Sequence, residues 1–177
     1  MDDSRKLYRL LREDENPMID GIRAKLPQAQ DTPLKHIRNG SCRKSQWIST
    51  SRSLSCIEKF IKLKRKREGS FTVCRVVIID EQKLMLYSEY FRLRNIFRSI
   101  TEYRKAPIDT LIKPLIDEQT IGEILDFTDP KIMDKYIPSN PSRPMINDRA
   151  RGYARKYDEV LVERFIPASC CLDILYK

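Results

Sequence analysis

Phe71-Thr-Val-Cys-Arg-Val-Val-Ile-Ile-Asp80 is the most strongly β-branched run in the sequence, and it ends at the polar pair Glu81-Gln82. Branched side chains pack well on a buried pleated surface, so this stretch predicts a central strand that anchors the core. Just before it, Leu54, Ile57, Phe60, Ile61 and Leu63 recur at helical spacing behind Ser53, which predicts a helix over 53–66 capped by that serine. Gln46-Trp-Ile-Ser-Thr-Ser51 reads as an extended piece entering the turn that precedes the helix. Lys6-Leu-Tyr-Arg-Leu-Leu-Arg12, bounded by Glu13-Asp-Glu-Asn-Pro17, suits a first strand.

On the other side, Lys83 to Pro144 mixes apolar residues with Pro107, Pro114, Pro130, Pro138, Pro141 and Pro144, which read as loop punctuation around short helices such as 88–103. A basic helix over 147–157, capped by Asn147 or Asp148, leads into a strand at Glu159-Val-Leu-Val-Glu163. Pro167 then provides a turn before a last strand at 171–176. Strands at both ends with helices early and late favour an α+β fold over repeated βαβ units. A chain of 177 residues builds one real core, so a single domain over 1–177 is expected.

The chemistry-bearing motifs narrow the function by their absence. The sequence contains no Walker-type loop, GxGxxG, GxSxG or HExxH. Five cysteines without a CxxC pair, and one histidine, argue against a disulfide framework or a metal site; Cys74 and Cys171 read as small buried hydrophobes. His36, the sole imidazole, follows a proline-containing polar loop and is assigned a structural or surface role. No apolar run is long enough for a membrane span, and Met1-Asp-Asp-Ser-Arg-Lys6 is unlike a signal peptide, which points to a cytoplasmic or nuclear protein. The net charge of +9 attracts phosphate-rich partners. Its densest piece, Lys62-Leu-Lys-Arg-Lys-Arg67, reads as a solvated helix end in preference to a localisation signal or nucleic-acid contact.

Three dispersed blocks remain: Tyr8-Arg9, Trp47-Ile-Ser-Thr-Ser51 and Tyr157-Asp-Glu159-Val-Leu-Val162. In this order they resemble the arginine, Ser-Thr-Ser, glutamate class of ADP-ribosyltransferases. The resemblance implies a split β-sheet core with peripheral helices and a cleft that binds NAD as co-substrate. It also implies Glu159 as the catalytic carboxylate, and Arg9, Ser49, Thr50 and Ser51 as the cofactor-binding set. Cleavage of the nicotinamide bond develops a ribose cation that a carboxylate stabilises, while an arginine fork suits a diphosphate. Thr50 and Ser51 are expected to stiffen the strand edge and the turn. Glu163, four residues on and on the same strand face, is the internal rival of Glu159.

Where the family often carries the first glutamate of Glu-x-Glu, this sequence has Tyr157, which shifts the expected acceptor away from arginine side chains. The family's acceptor-contacting loop matches Arg149 to Asp158, and Tyr153, Arg155 and Tyr157 are expected to bind substrate. Basic residues interleaved with tyrosines suit a DNA or RNA acceptor; a protein acceptor is the other option. Two further readings use the same fold: a non-catalytic nucleic-acid-binding module, and an NAD glycohydrolase in which water is the acceptor.

Overall fold

In a computed structural model, residues 5–40, 44–69, 72–103, 121–139 and 144–177 are described, with backbone alone over 94–103. Phe71, Cys42, Pro107, Pro114 and Pro141 lie outside these residues. The architecture is α+β, built on an antiparallel sheet. In chain order the elements are β1 (Lys6–Leu10), α1 (Pro17–Asp20), β2 (Ile22–Arg23), α2 (Pro33–Asn39), β3 (Trp47–Ser51), α3 (Leu54–Glu68) and β4 (Arg75–Asp80). They continue with α4 (Glu81–Tyr103), β5 (Ile124–Asp126), α5 (Pro130–Tyr136), α6 (Pro144–Lys156), β6 (Glu159–Glu163), β7 (Phe165–Ile166) and β8 (Cys171–Tyr176).

Six strands form one sheet in the order β5-β6-β3-β1-β4-β8, and β2 with β7 makes a separate ribbon. The branched run does form an inner strand, flanked by β1 and β8, although it begins at Arg75. Cys74, Val76, Val77 and Ile79 are all essentially inaccessible to solvent, which is why this run anchors the core.

The sheet is not uniformly zipped. β1 pairs with β4 at five positions and β3 pairs with β6 at five, yet β1 and β3 meet only at Tyr8 and Ser51. Among the described residues the pairing does not continue from that point toward Leu10 and Ser49. The helices over this face follow the division. Ile57 and Ile61 of α3 pack on Val76 beside Tyr8 and Leu10, on the β1-β4 half. Ile37 of α2, Met133 of α5 and Ala150 and Ala154 of α6 pack on Trp47, Leu125 and Leu161, on the β3-β6-β5 half. A cleft lies between these two packed layers. The opposite face is covered without a break by Leu7, Ile48, Val77, Ile79, Val160 and Val162 together with Ile22, Ile166 and Leu84.

Several element boundaries differ from the sequence-based expectation. The helix expected at 88–103 begins at Glu81, directly after β4, and its first turn contributes the buried Leu84. Asn147 does not cap α6: the helix begins three residues earlier, and Asn147 sits within it, buried, donating to the Pro138 carbonyl at 2.7 Å. Ser53 occupies the N-cap position of α3 but makes no side-chain cap hydrogen bond; Ser51 Oγ instead accepts from the Ser53 N–H at 3.1 Å.

Candidate active site

The Ser-Thr-Ser strand alternates, and the alternation sorts its side chains. Ser49 and Ser51 point to the cleft face with Glu159, whereas Thr50 sits across from Val160 and donates its hydroxyl to the Val160 carbonyl at 2.8 Å. Ser51 donates to the Tyr157 carbonyl at 2.7 Å, which pins the turn between α6 and β6. That turn closes through Asp158, whose φ of 46° is left-handed, a conformation that Asp tolerates better than most side chains. It redirects the chain from the end of α6 so that Glu159 is the first residue of β6.

Glu159 pairs directly with Ser51, and Ser49 is its diagonal neighbour on the same face, within reach of a cross-strand contact. Ser49 Oγ donates to Glu159 Oε1 at 2.8 Å. His36, from α2, completes the arrangement: its Nε2 lies 3.0 Å from Ser49 Oγ and its Nδ1 lies 2.6 Å from Ser45 Oγ. An ionised carboxylate only accepts, so Ser49 gives its proton to Glu159 and receives one from His36 Nε2. His36 Nδ1 then accepts from Ser45, whose oxygen in turn accepts from the Trp47 N–H at 3.3 Å. With Glu159 ionised, every donor along this chain has one direction, and the tautomer of His36 is assigned from it.

The electrostatics agree. Burial, reinforced by the nearby Arg9 charge, pushes His36 down to about 4, so the ring is neutral and able to act as both donor and acceptor. Glu159 keeps a partial opening to the cleft but is otherwise ringed by protein atoms. Burial pushes its carboxyl up to about 7 against the opposing hydrogen bond from Ser49. A carboxyl poised near neutrality in a cleft is the signature of a functional group more often than of a surface one.

Arg9 reaches this site by an unexpected route. Alternation places it with Leu7 on the opposite strand face from Tyr8 and Leu10, yet its side chain lines the cleft. There it donates to the Ser49 carbonyl at 2.8 Å and pairs with the buried Glu15 at 2.9 Å. Its Nε is buried with no partner among the described residues.

Arg9, His36, Ser49 and Glu159 all line one cleft of about 810 Å³, within the roughly 300–1,000 Å³ typical of small-molecule sites. Tyr153 and Tyr157 line it too. Arg155 does not: it borders a separate hollow with Phe127, Met133 and Asp158. Glu163 lies at the far end of β6, where its carboxylate accepts from the Glu123 N–H at 3.1 Å and pairs with Arg164, remote from Ser49. His36 is the residue that sequence reasoning missed. A lone histidine carries no motif, but Thr32-Pro33 marks the start of the helix that delivers it.

Cys56, Cys74, Cys170 and Cys171 are free and buried, and burial pushes Cys170 to about 11 and Cys171 to about 12. No group of metal-binding side chains occurs among the described residues, and no helix among them is long and apolar enough to cross a membrane. No protein-family model matches the chain, and no curated protein matches it. Among solved structures it is similar to one named EcPltA, at 15% identity and a TM-score of 0.48, covering 99% of this chain and 77% of that one. A likeness this distant carries no functional argument.

Proposed function

We propose that this protein is a mono-ADP-ribosyltransferase, binding NAD in the cleft over the sheet and transferring ADP-ribose to a macromolecular acceptor. One observation carries the reading: the carboxyl of Glu159, poised near neutral pH, is held by Ser49 at the floor of a ligand-sized cleft, and Ser49 is held in turn by a neutral His36. The three blocks that resemble the arginine, Ser-Thr-Ser, glutamate class therefore meet at one place.

In the proposed reaction, the bond between the nicotinamide nitrogen and ribose C1′ breaks. Its electron pair leaves with the nicotinamide, which becomes neutral, and positive charge develops on the ribose. Glu159 as carboxylate stabilises that charge. The acceptor nucleophile then forms a bond to C1′ and gives up its proton to solvent. Ser49 fixes the carboxylate orientation. His36 acts as a positioning residue through Ser49, because its depressed basicity leaves it no proton to give at neutral pH. Arg9 supports the Ser49 strand through the carbonyl contact, and its charge at the cleft suits the NAD diphosphate.

The test is nicotinamide release from NAD by the wild-type protein and by Glu159→Gln. Release by the wild type that the variant lacks, together with an NAD-dependent rise in melting temperature, supports the reading. Equal turnover by both proteins, or no turnover with water or any macromolecular acceptor, overturns it.

A further inference from the structure

The basic run Lys62-Leu-Lys-Arg-Lys-Arg67 has a more specific place than a solvated helix end. It forms the C-terminal half of α3, and α3 is the wall of the cleft on the β1-β4 side. Lys64 and Arg67 line the cleft, with Phe60 one turn below. The facing wall belongs to α6 and the turn after it, which contribute Arg149 and Tyr153, and Tyr157, to the same cleft. The two walls thus carry matching chemistry, cations at the rim and aromatic rings beneath them.

The rings are ordered by their neighbours. Phe60 stacks on Tyr157 with centroids 4.1 Å apart, joining the α3 wall to the turn that precedes Glu159. Arg149 lies over the Tyr153 ring at 5.5 Å and donates to its hydroxyl at 3.1 Å. Acidic groups are present as well: Glu13 and Glu68 line the cleft, and Glu68 sits 3.6 Å from Lys64 in a partly exposed pair that contributes little. Arg67 and Arg149 are exposed.

We propose that the mouth of the cleft, between the second half of α3 and α6, is a track for single-stranded nucleic acid, whose strand brings an unpaired base to the floor as the acceptor of ADP-ribose. The proposal rests on the transferase reading above. Cations along a rim follow a phosphate backbone; with Phe60 and Tyr157 stacked on each other, Tyr153 is the ring placed to stack an incoming base, without regard to sequence. A duplex hides its base faces in its own stack, so the aromatic walls select an unpaired strand. In the transfer, a base nitrogen forms the bond to ribose C1′ as nicotinamide departs with the electron pair, and the nitrogen's proton goes to solvent.

Binding is measured first without NAD, by fluorescence anisotropy of a labelled mixed-sequence oligonucleotide of about 12 residues over a range of salt. The double variant Arg67→Ala/Arg149→Ala should bind about tenfold more weakly at 0.1 M salt, with the slope of log K against log salt reduced by about 1–1.5. The equally discharged Lys131→Ala/Lys135→Ala, altered on α5 away from the cleft, should stay within about twofold of wild type. Tyr153→Leu should lose about fivefold or more through the missing stacking face. The same oligonucleotide as a duplex should bind more weakly than the single strand. With labelled NAD, label should reach the oligonucleotide in wild type and not in Glu159→Gln, which should still bind the strand. Nicotinamide release without charge-dependent strand binding, or with the label on protein alone, overturns the track and leaves the transferase reading standing. Strand binding without nicotinamide release overturns the transferase reading and the acceptor role with it.

Discussion

Two polar networks flank β3, and they hold their charges in opposite ways. The His36-Ser45-Ser49-Glu159 chain contains one carboxyl whose bonded partner is a neutral hydroxyl. At the other end of the strand, Arg52 donates its Nε to Asp126 at 2.7 Å and a terminal nitrogen to Glu81 at 2.9 Å, tying β5 to the start of α4. Burial disfavours the charged Arg52, but the hydrogen bonds it donates to Glu81 and Asp126 outweigh it and hold its pKa above the ordinary value. Burial acts on Glu159 with no counter-charge bonded to it, so its pKa rises toward neutrality. The presence or absence of a bonded counter-ion separates a structural clasp from a titratable site.

The largest effect that would break this comparison is on chemistry. Glu159→Gln should lower nicotinamide release by about 10²–10³, the equivalent of roughly 3–4 kcal/mol of transition-state stabilisation, while the fold survives. A variant that loses activity only because its circular-dichroism melt has collapsed would make Glu159 a structural residue like Glu81. Glu81→Gln should do the converse. Weakening the half-buried clasp should cost about 2 kcal/mol and lower the melting temperature by about 4–8 °C, with activity per folded molecule within about twofold of wild type. An unchanged melt would show that the clasp is only a surface pair.

The third effect is linkage. The Glu159 carboxyl is raised to about 7 in the folded state from an ordinary 4.5, so the folded state binds its proton more tightly. Its stabilising contribution is complete below pH 4.5 and is lost as pH rises through 7. Relative to wild type, Glu159→Gln should therefore gain stability between pH 5 and pH 8, by about 1–2 kcal/mol after allowing for its partial opening to solvent. Melts of both proteins at those two pH values check this, and parallel curves would refute the raised carboxyl.

The smallest effect concerns Ser49. In wild type, kcat/KM should rise with pH through an apparent pKa near 7 as Glu159 ionises. Because the Ser49 hydrogen bond holds that pKa down, Ser49→Ala should move the limb to higher pH in addition to lowering the plateau. A lowered plateau with an unmoved limb would mean that Ser49 orients substrate without touching the carboxyl.

Much of the fold is legible in residue order, and the gaps have a common physical cause. β4 and β6 are announced by their β-branched residues, and β1, β3 and β8 by short apolar stretches bounded by turn residues. The short helices were hidden by their prolines. Pro17, Pro33 and Pro130 each open a short helix, where the missing N–H costs nothing, and Pro144 opens α6 three residues ahead of its expected start. Thr32 and Asp129 cap two of them, accepting from the N–H groups of Lys35 at 3.3 Å and Lys131 at 2.8 Å. Reading those prolines as loop punctuation erased α2, and with it the reason His36 belongs to the site.

By itself the sequence determined which side chains could do chemistry: an arginine on one strand, two cleft-facing serines on another, and a glutamate that opens a third. Local alternation settles which of these share a face, because in a strand that depends only on spacing. Tertiary structure alone decided that β1 and β3 pair at a single position, that the Arg9 guanidinium reaches the Ser49 carbonyl, and that His36 stands behind Ser49. It also sent Arg155 to a different hollow and turned the basic end of α3 toward the cleft. Those outcomes depend on which helix layer packs on which half of the sheet, a long-range choice that no short window of residues encodes.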